Sequence, residues 1–432
     1  MKILIVGSGG REHAIAHTIA KTQRSITLFG IGNNAAMEQF CEMKPLSLTD
    51  HQAIISYALD QKIDFAVVGS DGPLVAGLCD VFTDQGIPCF GPSKAAARLE
   101  GSKAFAKEFM ARHHIPTPSY NVFHSFKEAK AFVDTLSSTP IVVKADGLAL
   151  GKGVVIAQSK EEAHQALDEM MNQKCFGESG TTVVIEEFVQ GVEVSLLLFS
   201  DGTTAKAMIS AMDHKRAGDG DCGPNTGGMG VITPNPYFTE EMAHYVEEHI
   251  TKPTLQGMKQ EGNPFIGCLF LGLMLTEQGP TVIEYNCRFG DPEAQAVLPL
   301  LESDLLEIMI ACTQGRLKEI DVLFNTDYAC SVALTSGGYP GIFEKGKVIT
   351  ISSLPSDIEV FHAATALNEH KNLITTGGRV LHVVGKGSTI EKAITKTYQA
   401  IEYIHFEKMA YRKDIGQLAL YKEKEDGASL LR

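Results

Sequence analysis

The sequence predicts a mixed α/β and α+β protein of several domains, and three observations carry that expectation. Its 432 residues exceed a single domain of roughly 100 to 200 residues. Over about the first hundred residues, short β-rich runs alternate with helical patterns, as in a parallel sheet with crossover helices. Beyond Pro116 and Pro118, strands and helices mix without strict alternation, as α+β units do.

In the first unit, Ile3 to Val6 reads as a strand, followed by a helix from about Arg11 and strands at Ile26 to Phe29 and Phe65 to Val68. The last leads into a turn at Asp71 to Pro73. Ligands of open parallel sheets bind beyond the carboxyl ends of the strands, so Gly7 to Glu12, Gly32-Asn33 and Ser70 to Pro73 are expected to face one crevice. A helix is predicted from an N-cap at Ser102, with Phe105 and Phe109 one turn apart, stopping before Pro116. Strands Ile141 to Lys144 and Val154 to Ala157 flank a glycine loop, with a helix near Glu161 to Met171 and a strand Thr182 to Glu186 beyond. Asp213 to Gly230, polar and glycine-rich, reads as a long mobile loop. The final stretch carries strand-like SVALTSGG, GKVITI and GGRVLHVVG and a helix near Thr389 to Tyr403. These are expected to form a separate small α+β unit.

Lys and Arg total 38 against 52 Asp and Glu, a net charge of -14. That balance argues against nucleic acid or an anionic membrane as partner, since both reward basic surfaces. Any anionic ligand must meet local cations. No apolar run approaches the ~20 residues that cross a bilayer, and the first run ends at Gly7, too short and glycine-rich for a signal peptide. A cytoplasmic protein is expected. The nine cysteines are scattered singly without a C-x-x-C pair, which suggests neither zinc nor a disulfide framework. Cys287 reads as a buried thiol, with no base to activate it.

Four segments carry chemistry. In Gly7-Ser8-Gly9-Gly10-Arg11-Glu12, Glu12 replaces the third glycine of the dinucleotide fingerprint. The glycines still admit an anion to a helix N-terminus, and Arg11 adds a fork suited to phosphate; a phosphate ester, a dinucleotide and a plain tight turn are the readings. Lys144 to Gly153 packs Gly147, Gly151 and Gly153 with Lys144 and Lys152, although each fixed glycine costs roughly 0.5 to 1 kcal/mol relative to alanine. The spacing is not that of a Walker loop. It suits a β-loop-β flap over a nucleotide triphosphate, the alternative being an ordinary glycine-rich hairpin. Glu186-Glu187-Phe188-Val189 follows as a core edge, or as a segment whose backbone at Glu187 and Val189 pairs with adenine while Glu193 takes ribose hydroxyls. In the strand Val282 to Arg288, the period of two puts Glu284, Asn286 and Arg288 on one face and Ile283, Tyr285 and Cys287 on the other. A carboxylate and an amide oxygen two residues apart suit a hard cation such as Mg2+, with Arg288 holding an oxyanion. The alternative is a solvated polar face.

Taken together, Lys103 after Glu-Gly-Ser, the Lys144 to Gly153 flap, Glu186-Glu187 and Glu284-x-Asn286 resemble the ATP-grasp family of carboxylate-amine ligases. The blocks GGREHA, LEGSKAF, VKADGLALGKGV, DHKR, GPNTGGMG, EYNCRFGDPE and RKDIG span nearly the whole chain and resemble the glycinamide ribonucleotide synthetase family. The chain differs from the family's Gly-Pro-Glu-x-Pro at Gly69-Ser70-Asp71-Gly72-Pro73, and from its Pro-Gly-Asn at Ile31-Gly32-Asn33. Leu271 to Thr276 offers no further metal-binding carboxylate.

The resemblance implies an N-terminal Rossmann-like parallel-sheet domain over 1–101, an ATP-grasp domain over 102–318 that includes the nucleotide flap, and a C-terminal α+β domain over 319–432. It implies a ligase of de novo purine biosynthesis that joins glycine to 5-phosphoribosylamine through a glycyl phosphate, using ATP and Mg2+ or Mn2+. ATP would be held by Lys103, Lys144, Gly147, Gly151, Lys152, Gly153, Glu186, Glu187, Val189 and Glu193, and the metal by Glu284 and Asn286. Gly9, Gly10, Arg11, Asn33, Asp71, Arg288, Arg379 and Lys413 would bind the substrates. Arg288, Lys144 and Asp213, the last as proton acceptor, would be catalytic. A monomer with small-molecule partners is expected.

Overall fold

The computed structural model describes residues 1–149 and 153–429. Its first sheet is wholly parallel, in the order Cys41–Lys44, Thr27–Ile31, Lys2–Val6, Phe65–Val68, Cys89–Phe90. Ile3, Leu4, Ile5 and Val6 are all buried, as a central strand covered on both faces requires. The order reverses between Lys2–Val6 and Phe65–Val68, so the loops at Gly7, Gly32 and Gly69 open on one crevice, as expected. Asp71 to Pro73, expected as a turn, is instead the first turn of a helix Asp71–Ala76. Pro73 fits there because a first-turn N–H has no intrahelical acceptor to lose.

The middle of the chain forms two antiparallel sheets. One runs Tyr120–Phe123, Val183–Glu187, Ile141–Ala145, Val154–Ala157, so the two strands around the glycine loop do pair as a flap. The other runs Ala205–Ala207, Val192–Asp201, Ile266–Thr276, Gly279–Asn286. Helix Lys103–Arg112 starts where Ser102 Oγ accepts the Phe105 N–H at 3.1 Å. Its Phe105 and Phe109 enter the core beside the second of these sheets.

The last unit is not built from the C-terminal residues alone. Its main sheet runs Met212–Asp213, Gly230–Thr233, Tyr328–Ser336, Arg379–Gly387, Ile358–His362, so both ends of the supposed mobile loop are strands in it. Between them, Arg216–Gly218 and Cys222–Asn225 pair as a hairpin. Of GKVITI, only Thr350–Ile351 is a strand. The largest core runs across the units, from Ile15 and Ile19 through Phe199 and Phe289 to Leu306 and Met309. Among the described residues, no helix is long and apolar enough to cross a membrane.

Histidines mark the seam between the first and last units. The His362 N–H donates to His13 Nδ1 at 2.8 Å, and Asn34 Nδ2 donates to the carbonyls of Ser8 at 2.9 Å and His362 at 2.8 Å. Burial holds His13, His362 and His382 neutral, with pKa values pulled to about 3, about 4 and about 3. Burial lowers His17 and His214 as well. A base with a depressed folded pKa takes up its proton first in the unfolded chain. Stability is therefore lost as pH falls from the ordinary value of 6.5 toward 4, at up to ~1.4 kcal/mol per pH unit for each histidine. The urea midpoint is expected to fall between about pH 7 and pH 5, and less steeply in His382→Gln. A wild-type midpoint constant over that range would contradict this.

Candidate active site

Glu12 organises the crevice of the first sheet. Its Oε2 accepts the Gly9 N–H at 2.8 Å, and its Oε1 accepts Arg11 Nε at 2.8 Å and Ser70 Oγ at 3.2 Å. A Cβ at Gly7, where φ is +120°, would stand 2.7 Å from Glu12 Cγ, and one at Gly69 2.7 Å from Oε1. The anion these glycines admit is thus the chain's own carboxylate. Arg11, expected to offer a fork to phosphate, has its guanidinium buried between Glu12 and the Phe289 carbonyl, 3.3 Å from Nη1. Gly10 packs on Gln295 and His382. Asn33 is exposed, while its neighbour Asn34 is the buried bridge to His362. Asp71 is half-buried and close enough to Arg288 and Glu100 to act on both electrostatically.

Cations from several segments converge on Glu284. Burial works against its charge, but Lys215, Lys144, Lys103 and Arg288 outweigh that and hold its carboxyl below the usual range. Lys103 Nζ donates to the Gly147 carbonyl at 3.1 Å. The flap is fastened at its base by Asp146, whose Oδ1 accepts Ser102 Oγ at 2.9 Å and the Ala104 N–H at 2.7 Å. Gly153 closes the flap against Ala149 and Ala145; Gly151 and Lys152 lie outside the described residues.

Lys144 reaches Glu186 at 2.9 Å and the Ile283 carbonyl at 3.0 Å. That carbonyl is available because a β-bulge opposite Gly272 and Leu273 breaks the strand period. Ile283 therefore leaves the apolar face on which the alternation had placed it, while Tyr285 and Cys287 stay buried. Burial drives the Cys287 thiol well above its ordinary range. Glu186 faces inward between Lys144 and Lys107. Glu187 accepts Ser119 Oγ at 2.8 Å, and together with Val189 it lines a cleft of about 840 Å3.

Arg288 is held by Glu100 at 3.0 Å and donates to Asn286 Oδ1 at 3.1 Å and the Phe289 carbonyl at 3.1 Å; its Nε is buried without a partner among the described residues. Glu284 and Asn286 share a face and both present oxygen. This donor set fits a hard divalent cation that keeps waters and phosphate oxygens as its other ligands.

The hairpin and the last unit close the other side. Lys215 lies 2.7 Å from Glu193 and 3.8 Å from Glu284, so the carboxylate expected to meet ribose hydroxyls also holds the hairpin. Burial and then Glu293 push Asp213 well above the carboxylate range, and its Oδ1 has no partner among the described residues. Arg379 binds the Asp291 carboxylate at 2.8 Å, the Asp291 carbonyl at 2.9 Å and the Gly227 carbonyl at 2.6 Å. At the hairpin tip, Arg412 holds Asp221 at 2.6 Å, Asp414 at 2.8 Å and the Arg216 carbonyl at 3.1 Å. Lys413 is exposed and meets the tip by its backbone N–H, 2.8 Å from Asp219 Oδ1; among the described contacts it does not join Arg379. The segment expected to be mobile is thus held at both ends, because its polar groups are paired rather than solvated.

Three models of one family match consecutive parts of the chain: the phosphoribosylglycinamide synthetase N domain over 1–100, its ATP-grasp (A) domain over 101–294 and its C domain over 329–418. The chain belongs to the phosphoribosylglycinamide synthetase family. A phosphoribosylamine–glycine ligase of Agrobacterium fabrum is 45% identical over 98% of this chain and 100% of its own length. A bifunctional purine biosynthetic protein of Schizosaccharomyces pombe is 46% identical over 98% of this chain, which spans 54% of that larger protein. The crystal structure of a phosphoribosylamine–glycine ligase of Thermotoga maritima matches with a TM-score of 0.81 at 35% identity, covering 96% of this chain and 100% of that one. A 2-oxoglutarate carboxylase biotin carboxylase domain of Hydrogenobacter thermophilus shares the fold, at a TM-score of 0.75 and 17% identity over 95% of this chain and 91% of that one.

Within this synthetase fold, sequence reading missed several members of the ion-pair network. Glu100 and Asp146 belong to motifs already recognised, LEGSK and KADG, but their roles emerge only from contacts across the chain. Lys107 follows Lys103 by four residues on one helix, a spacing that puts both on one side. Arg412 was visible in RKDIG, without its target. Arg412→Ala is expected to raise amide hydrogen exchange at Gly218–Asn225 about tenfold or more, because local opening follows the loss of such anchors. Unchanged exchange there would show that the hairpin is held otherwise.

Proposed function

We propose that the chain joins glycine to 5-phosphoribosylamine with ATP, giving glycinamide ribonucleotide, ADP and phosphate, a step of de novo purine biosynthesis. The observation that carries this reading is the convergence of Lys103, Lys144, Lys215 and Arg288 on Glu284 within an acidic chain of this family. A carboxylate is a poor electrophile, so the γ-phosphoryl group of ATP passes to a glycine carboxylate oxygen and ADP leaves. The amine nitrogen then attacks the carbonyl carbon of glycyl phosphate, the bond to the phosphate oxygen breaks and inorganic phosphate departs. The work left to the protein is positioning and charge neutralisation.

Lys103, Lys144 and the flap, with Gly147, Gly151, Lys152 and Gly153, would hold the phosphates of ATP, and Glu187 and Val189 would meet adenine along the cleft they line. Glu284 and Asn286 would hold Mg2+ or Mn2+, which when bound supplies positive charge against the phosphates. Arg288, fixed by Glu100 and with Nε unpartnered, is suited to the glycine carboxylate and its acyl phosphate. Asp213, a carboxyl whose buried Oδ1 meets no partner among the described residues, is the group assigned to accept the amine's proton. Phosphoribosylamine would lie in the crevice among Gly9, Gly10, Asp71 and Arg379. All these groups come from one chain, and the working unit is read as a monomer with small-molecule partners. The hairpin, held over Glu284 by Lys215, would limit loss of the acyl phosphate to water.

The test is ADP release from Mg-ATP with glycine, with and without fresh phosphoribosylamine. Release that needs both substrates, and that falls roughly 10²- to 10³-fold in Glu284→Ala, is expected. Release driven by a different amine, or none despite tight ATP binding, would overturn the assignment.

A further inference from the structure

We propose that Lys107 is a positioning residue that holds Glu186 in place so that Lys144 can leave this carboxylate for the phosphates of ATP. The inference rests on the ATP-dependent reading above and assigns a task to a residue that reading leaves without one. Lys107 Nζ lies 3.0 Å from Glu186 Oε2 and Lys144 Nζ lies 2.9 Å from the same oxygen. Two ammonium groups therefore share one carboxylate oxygen inside the protein, and within that trio one positive charge is left over for an incoming anion.

Their other contacts give the two lysines different tasks. Lys107 donates to Thr117 Oγ1 at 2.8 Å, and Thr117 in turn donates to the Val282 carbonyl at 2.7 Å. The Lys107 side chain is 3% exposed, so this lysine is fixed at the rear of the group. Burial lowers its pKa to about 8, which still leaves it charged at neutrality. Among the described contacts, the Lys144 side chain is tied otherwise only to the bulged Ile283 carbonyl, and it lies near enough to Glu284 and Lys103 to act on both electrostatically. Were Lys144 the sole counter-ion of Glu186, moving it to a phosphate would strand a buried carboxylate, the costly outcome for any buried ion pair. Lys107 removes that obstacle.

The test is calorimetric titration of Mg-ATP into the full chain, with a thermal melt of each variant to show that it is folded. Lys107→Met is expected to weaken ATP binding about tenfold or more, and Lys107→Arg to keep it within a few-fold of wild type. The double variant Lys107→Met with Glu186→Gln should bind ATP more tightly than Lys107→Met alone, since no carboxylate remains to retain Lys144. Lys107→Gln replaces Lys107→Met in both comparisons if the methionine variant does not fold. Equal losses in the single and double variants, or wild-type affinity in Lys107→Met, would overturn the inference alone. Failure of folded wild type to bind Mg-ATP would overturn the ligase reading and this inference with it.

Discussion

The arrangement of the molecule depends on one electrostatic constraint: an acidic chain has to keep several cations together at one place before any anion arrives to justify them. Like charges gathered in a half-buried cleft repel one another, and burial penalises each. The fold answers by setting nearly every cation against a carboxylate. Lys144 has Glu186, Lys215 has Glu193, Arg288 has Glu100 and Arg379 has Asp291. Glu284 stands among the first three and Lys103. The cations are thereby fixed in position and the repulsion is offset, while the group keeps its attraction for phosphate and carboxylate oxygens.

That constraint explains why distant segments meet. Glu100 and Lys103 flank the start of a helix, Lys144 and Glu186 lie on one antiparallel sheet, Glu193 and Glu284 on another, and Lys215 enters from the hairpin. The hairpin is in turn set by the last unit. Tyr339 Oη accepts the Gly227 N–H at 3.1 Å and Arg379 binds the Gly227 carbonyl, so both polar groups at that point of the hairpin are taken by one unit. At Gly228, where φ is +109°, a Cβ would stand 2.3 Å from Pro292 and 2.8 Å from Asp213 Oδ1. Glycine is needed there because the backbone passes directly over the acidic group.

Much of this was legible in the sequence wherever a pattern is local. The parallel sheet, the Ser102 cap, the β-loop-β flap and the burial of Tyr285 and Cys287 follow from period, capping and turn chemistry, which act over a few residues. What stayed hidden was set by contacts across the chain. Glu12 looked like a defect in a glycine fingerprint until its carboxylate was seen to fill the space the glycines leave, and its pairing with Arg11 was hidden for the same reason. Ile283 kept its place in a period of two on paper, but a bulge, which no side-chain pattern announces, turned its carbonyl toward Lys144. Asp213 to Gly230 looked mobile because its polarity was counted without its partners.

Polar atoms left without partners carry the argument one step further. Buried polar groups in folded proteins are nearly always satisfied, so exceptions point to where something else completes them. Glu186 Oε1, Asp213 Oδ1, Arg288 Nε, Gln295 Oε1 and both ring nitrogens of His382 are among those that lack a partner here. The first three belong to the cluster around Glu284, and the others lie under Gly10 at the floor of the crevice. The paired cations account for anion attraction, while these unpaired atoms show where the buried polar groups are not fully satisfied by the described residues. An acceptor at Glu186, a carboxyl at Asp213 and a donor at Arg288 leave the surroundings of Glu284 polar as well as charged, so burial there is offset by ion pairs more than by complete hydrogen bonding.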